Sequence, residues 1–122
     1  MAAFESEWMF CGEAKPVPVM VEIGRYASGL PRIQLVEIES GDPVATATMA
    51  VPAEGSANVW IKDWAENEGV VECLVRAGVL TETAMPSAEQ RDGVLRTLTP
   101  RALAAFQALP RPVGRKPSYP GM

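Results

Sequence analysis

The run Val17-Pro18-Val19-Met20-Val21-Glu22-Ile23 places a β-branched apolar residue at every odd position, and this alternation narrows the possible folds more than any other stretch. Side chains of a strand alternate direction, so Val17, Val19, Val21 and Ile23 share one face while Met20 and Glu22 share the other. Such a strand demands a sheet with a buried side. The neighbouring segments supply its other members. Phe4, Trp8 and Phe10 alternate among Glu5, Ser6 and Glu7, so residues 1–14 read as an edge strand or an irregular aromatic arm. Gly24 and Ala27-Ser28-Gly29 break the main run, and Pro31 has no N–H to give a ladder.

Arg32 to Glu39 reads as a second strand. Its apolar residues change face between Leu35 and Val36, which predicts a bulge or burial on both sides. Ser40-Gly41-Asp42-Pro43 is a strong turn signal, and Val44 to Val51 alternates again as a third strand. Strands joined by short turns predict an antiparallel meander, to which Asn58 to Lys62 adds a fourth short strand.

The period then changes. Asp63 and Glu66 have the spacing of a capping box, and Trp64, Val71, Leu74, Val75 and Ala77 trace an apolar helical stripe. Gly78 stands where a left-handed C-terminal residue belongs, with Val79-Leu80 as the apolar contact after it. A helix is expected over 64–77, weakened by about 1 kcal/mol at Gly69. Residues 81–92 are loop-like around Pro86, and Val94 to Leu98 reads as a last strand. Thr99-Pro100 is an N-cap followed by proline at the first helical position. A short helix from Arg101 to Leu109 follows, with Ala102, Leu103, Phe106 and Leu109 near one side. The expected fold is α+β: an antiparallel sheet of four to five strands, one main helix on a face and a short C-terminal helix. Residues 1–109 form a single domain, and 110–122 a Pro-rich basic tail.

None of the 122 residues is histidine. Histidine-based triads, Cys-His dyads and mixed zinc sites are therefore excluded, leaving carboxylate, lysine, cysteine or tyrosine chemistry, or none. Cys11 and Cys73 read as reduced thiols, and Cys73 sits in an apolar helical pattern as a small buried hydrophobe. No apolar run reaches the roughly 18 residues of a membrane span. Glu5 and Glu7 stand where a signal peptide would be basic, so a cytoplasmic protein is expected. All 15 acidic residues precede residue 100, whereas Arg101, Arg111, Arg115 and Lys116 follow it. An acidic body repels nucleic acid and suits a basic protein partner.

The densest acidic cluster is Asp63, Glu66, Glu68 and Glu72. On a helix Glu68 and Glu72 share a face, while Asp63 and Glu66 belong to its cap, where acids complement the helix dipole. No EF-hand order is present, and neither a metal site nor a cofactor is expected. Trp60 and Trp64 read as structural. Trp8, with Phe4 and Phe10, reads as an interface aromatic. Pro117 to Pro120 has PxxP spacing, but its flanking cation is out of register.

The segment Val59-Trp60-Ile61-Lys62-Asp63-Trp64-Ala65-Glu66-Asn67-Glu68-Gly69, with Leu74-Val75-Arg76-Ala77-Gly78-Val79 after it, resembles a motif of small phage and plasmid proteins. In that family a T-A-T-like strand, matched here by Val44-Ala45-Thr46-Ala47-Thr48, precedes an I-K-D-W/Y-x-E-N-E-G helix start. The resemblance covers roughly residues 19–80. The family has no established activity, so no catalytic residue is transferred. What the resemblance implies is a mobile genetic element, whose small acidic proteins block host defence complexes as anti-CRISPR proteins do. The functional expectation is therefore a non-enzymatic inhibitor that occludes a basic, nucleic-acid-binding surface of a host complex. It needs no direct nucleic acid or membrane contact, and Asp63, Glu66, Glu68, Glu72, Trp8 and Trp64 meet the partner. Two alternatives are a cation-dependent hydrolase using the Asp63/Glu66/Glu68/Glu72 cluster and a structural homodimer joined through the aromatic N-terminus.

Overall fold

The computed structural model describes residues 2–8, 16–53, 55, 57–63, 67, 69–82 and 93–110. Along the chain run β1 (Ala2–Trp8), β2 (Val17–Arg25), β3 (Pro31–Glu37), β4 (Pro43–Thr46), β5 (Asn58–Ile61), α1 (Val70–Arg76), β6 (Val94–Thr97) and α2 (Pro100–Gln107). The first four strands form an antiparallel sheet in chain order, and β5 pairs with β6 in a second, two-stranded sheet. The fold is α+β, as the alternation predicted.

The inward face of the larger sheet follows the period-2 pattern closely. Phe4, Val21, Leu35 and Ala45 line up across the four strands, and Ile23 pairs with Ile33 beside them. Val19, Val21, Ile23, Ile33 and Leu35 are all fully buried. The outward row Ala3, Glu22, Gln34 and Thr46 is partly or fully exposed, and three of its four members are polar. The register slips between Leu35 and Val36, at the step where the apolar residues change face. A bulge was one of the two solutions expected there.

Two expectations are corrected. The third strand does not continue to Val51: β4 ends at Thr46, and residues 47–49 pass from one sheet to the other. Ala47 N–H donates to the Ile33 carbonyl, Met49 N–H to the Trp60 carbonyl, and Lys62 N–H to the Ala47 carbonyl, each at 2.8–2.9 Å. Thr48 forms an isolated bridge with Ile61. The strand expected fourth in the meander therefore lies in the second sheet. Alternation tells which face a residue occupies, not which strand lies beside it.

The second correction concerns the helix. α1 begins at Val70 rather than at residue 64, its N-cap is Gly69 in the left-handed region at φ 86°, and no side chain caps it. Asp63 is thus no N-cap of α1, and Glu66 lies outside the described residues. The C-terminal end is as expected. Gly78 has φ 78°. Its N–H donates to the Val75 carbonyl at 3.0 Å and Val79 N–H to the Leu74 carbonyl at 2.9 Å, the paired bonds of a Schellman motif. α1 lies against β1, where the Ser6 hydroxyl donates to the Cys73 carbonyl at 2.8 Å.

The Thr99 hydroxyl caps α2, accepting from Ala102 N–H at 3.1 Å with Pro100 at the first helical position. The same hydroxyl donates to the Gly78 carbonyl at 2.7 Å, so the end of α1 and the start of α2 share one side chain. Two arginines hold α2 to the sheet. Arg25 donates to the Phe106 carbonyl at 3.1 Å with its guanidinium 4.0 Å from that ring, and Arg101 lies 4.4 Å from the Phe4 ring. The tail, residues 111–122, lies outside the described residues.

The crossing predicts a cost for its hydroxyl. Thr48 is 1% exposed, and its Oγ1 accepts from Ile33 N–H at 3.1 Å. Thr48→Val keeps the shape and orphans that donor, and is expected to lower unfolding stability by about 1–3 kcal/mol in urea titrations. Two glycines give a comparative test. A Cβ at Gly93 (φ 96°) would sit 2.5 Å from the Ile61 carbonyl oxygen, whereas one at Gly78 would meet only the mobile end of Arg101 at 3.3 Å. Gly78→Ala is expected to cost about 1–2 kcal/mol from the left-handed backbone alone, and Gly93→Ala clearly more, by the same measurement.

Candidate functional site

The shortened helix borders a concavity among the described residues. Because α1 has only seven residues, its outward side, the start of β6 and the chain at Asp63 and Glu82 leave a cleft of about 830 Å³ between them. That volume is in the range of ligand-sized sites. Val71, Val75 and Val94 supply its apolar lining, with Asp63, Glu72, Glu82, Arg76 and Arg96 around them. Helical spacing explains the first pair: Val71 and Val75 stand one turn apart, as do Glu72 and Arg76 beside them. Glu72, Arg76 and Glu82 are exposed, and Asp63 is half-buried.

Arg96 behaves differently. It lies in β6 opposite Val59 and is 9% exposed. Its Nη2 donates to the Thr81 carbonyl at 2.8 Å, while its Nε is buried without an acceptor. Asn67, 5% exposed, donates from Nδ2 to the Thr46 carbonyl at 3.0 Å and the Lys62 carbonyl at 3.4 Å. It thereby ties the approach to α1 onto the end of β4 and the residue after β5.

Of the expected partner-binding residues, Asp63 and Glu72 meet in this cleft. Glu66, Glu68 and Trp64 lie outside the described residues. Trp8 is corrected: it is 1% exposed, on the inward face of β1 with Phe4, and so belongs to the core rather than to an exposed aromatic strip. Phe10, the third aromatic of the homodimer reading, lies outside the described residues. β1 had read equally well as an arm, and pairing along all seven residues with β2 turns the aromatics inward. Arg76, Glu82 and Arg96 escaped the sequence reading. Arg96 alternates with buried Leu95 and would be assigned to a wetted face, so periodicity carries no signal for it.

Among the described residues, no group of three or more His, Cys, Asp or Glu could hold a metal ion. No described helix is long and apolar enough to cross a membrane. Comparison with protein-family models, curated proteins and solved structures returns no match. The cleft therefore speaks through its own chemistry: charges of both signs around a valine lining, suited to holding a charged segment of another molecule.

Cys73 lies on the buried face of α1, a free thiol 1% exposed. Burial pushes its thiol above the ordinary value of 9.0, with the Ser6 hydroxyl and the Arg76 charge pulling more weakly the other way. In a Cys11→Ser background, Cys73 is expected to resist a disulfide-exchange reagent at neutral pH and to react fully in denaturant. The unfolded chain releases the thiol proton before the folded one. The contribution to stability is therefore intact below pH 9.0 and declines as pH rises past it. Cys73→Ala is expected to flatten that alkaline decline in urea titrations.

Proposed function

We propose that this chain acts by binding rather than by catalysis, as a small acidic cytoplasmic protein of a mobile genetic element. Its cleft face covers a basic surface of a host defence complex, of the CRISPR type that the motif resemblance points to, where nucleic acid would otherwise lie. The observation that carries this reading is the convergence of Asp63, Glu72 and Glu82 around one cleft beside α1. Carboxylates in a concave, partly apolar setting attract Lys and Arg side chains more strongly than the same charges spread over a convex surface. The overall charge of −4 adds long-range steering toward a basic partner. The partner's nucleic-acid site then closes by occlusion, with no cofactor and no direct contact between this chain and nucleic acid.

The test is a plasmid-interference assay in cells carrying a CRISPR-type system, with and without this chain. Expression is expected to restore plasmid uptake. The triple variant Asp63→Lys, Glu72→Lys, Glu82→Lys is expected to lose that effect while keeping its circular dichroism, and the wild-type complex to weaken steeply with salt. Undiminished interference in the presence of wild type, or full activity of the charge-reversed variant, would refute the proposal.

A further inference from the structure

Arg96 is the one charged side chain in the buried set among the described residues. Taking an ionised group out of water is costly unless an opposite charge and a full set of hydrogen bonds replace the lost hydration. A guanidinium carries five N–H donors in a planar fork. Among the described residues one carbonyl, that of Thr81, accepts from it, and Nε is buried without an acceptor. Asp63, Glu72 and Glu82 line the same cleft, yet among the described residues none forms an ion pair with it. Among the described residues the positive charge is confined and oriented, with no carboxylate paired to it.

We infer that Arg96 receives a carboxylate from the docked partner, so that the segment entering the cleft carries an acidic residue flanked by basic ones. The inference rests on the docking reading above and adds a sequence requirement to it. The cleft's own carboxylates hold the flanking Lys or Arg heads, whose aliphatic stems lie along the valines. A single carboxylate between them reaches the guanidinium, in the charge-assisted pairing that this fork geometry favours. A phosphoryl dianion fits less well than a carboxylate, because it brings a second negative charge among Asp63, Glu72 and Glu82.

The test uses the full chain, isotopically labelled for NMR, and two synthetic peptides blocked at both ends: Lys-Lys-Asp-Lys-Lys and Lys-Lys-Asn-Lys-Lys. Attraction to an acidic face alone favours the asparagine peptide, which carries the larger positive charge. A carboxylate receptor reverses that order. The aspartate peptide is expected to bind about tenfold more tightly, with the largest shifts around Arg96, Val71 and Val75. Arg96→Gln is expected to remove the preference for the aspartate peptide, while Arg96→Lys keeps part of it. Equal affinities, or tighter binding of the asparagine peptide, overturn the role of Arg96 while leaving the acidic-face reading in place. If neither peptide perturbs any cleft resonance, the acidic-face reading falls with it. The wild-type comparison is decisive even if an Arg96 variant fails to fold.

Discussion

Residues 47–49 carry the constraint on which both sheets depend. A chain leaving one ladder for another must satisfy each backbone group it turns away from its first partner, because a buried N–H or carbonyl left alone costs as much as a lost hydrogen bond. The crossing meets that demand through its own hydrogen bonds. Ala47 reaches back to Ile33 through its N–H and across to Lys62 through its carbonyl, and Met49 continues onto Trp60. Where the Ile33 N–H would otherwise be orphaned, the Thr48 hydroxyl accepts from it, and Tyr26 donates to the Thr48 carbonyl at 3.0 Å. A purely apolar side chain of the same shape would fill the space and leave the ladder broken. One polar atom in an apolar core thus decides where the molecule bends.

The bend has consequences for the helices. Moving β5 out of the meander places β6 and the chain at Leu80 beside it, with Leu80 bridging Leu98. Among the described elements α1 packs chiefly on β1. Its Schellman end turns the chain sharply, and Thr99 fastens the beginning of α2 to that turn. Val71, Glu72, Val75 and Arg76 on the outward side of α1 line the cleft. Its charges fall where Glu72 and Arg76 happen to be spaced by one turn.

How much of this could be read from residues alone varies with the kind of physics involved. The inward faces of β2 and β3 were legible because burial on one side of a pleat imposes a period of two. The bulge at Leu35/Val36 was legible as a break in that period. Gly78 and Thr99-Pro100 were legible because helix ends use few residue types for definite stereochemical reasons. The start of α1 was not. Asp63 and Glu66 satisfy the spacing of a capping box, but spacing does not say whether the backbone between them is helical, and Asn67 binds the Thr46 and Lys62 carbonyls instead. The cleft was half legible. Asp63 and Glu72 belong to a visible acidic run, whereas Glu82 and Arg96 join them only through tertiary placement. Trp8 was misjudged because a strand of alternating aromatics has the same pattern whether its apolar side meets a core or a partner.

The position of β1 at the margin of the larger sheet has a further bearing on how the molecule behaves in crowded solution. Its outward side chains include Glu5 and Glu7, both exposed, and the Glu7 carbonyl accepts from Arg76 at 3.4 Å. A second molecule approaching to extend the sheet would bring its own glutamates against these and would have to displace an arginine. The first strand of the chain is thereby a poor template for stacking, and colloidal stability is written into the same seven residues whose other side anchors Trp8.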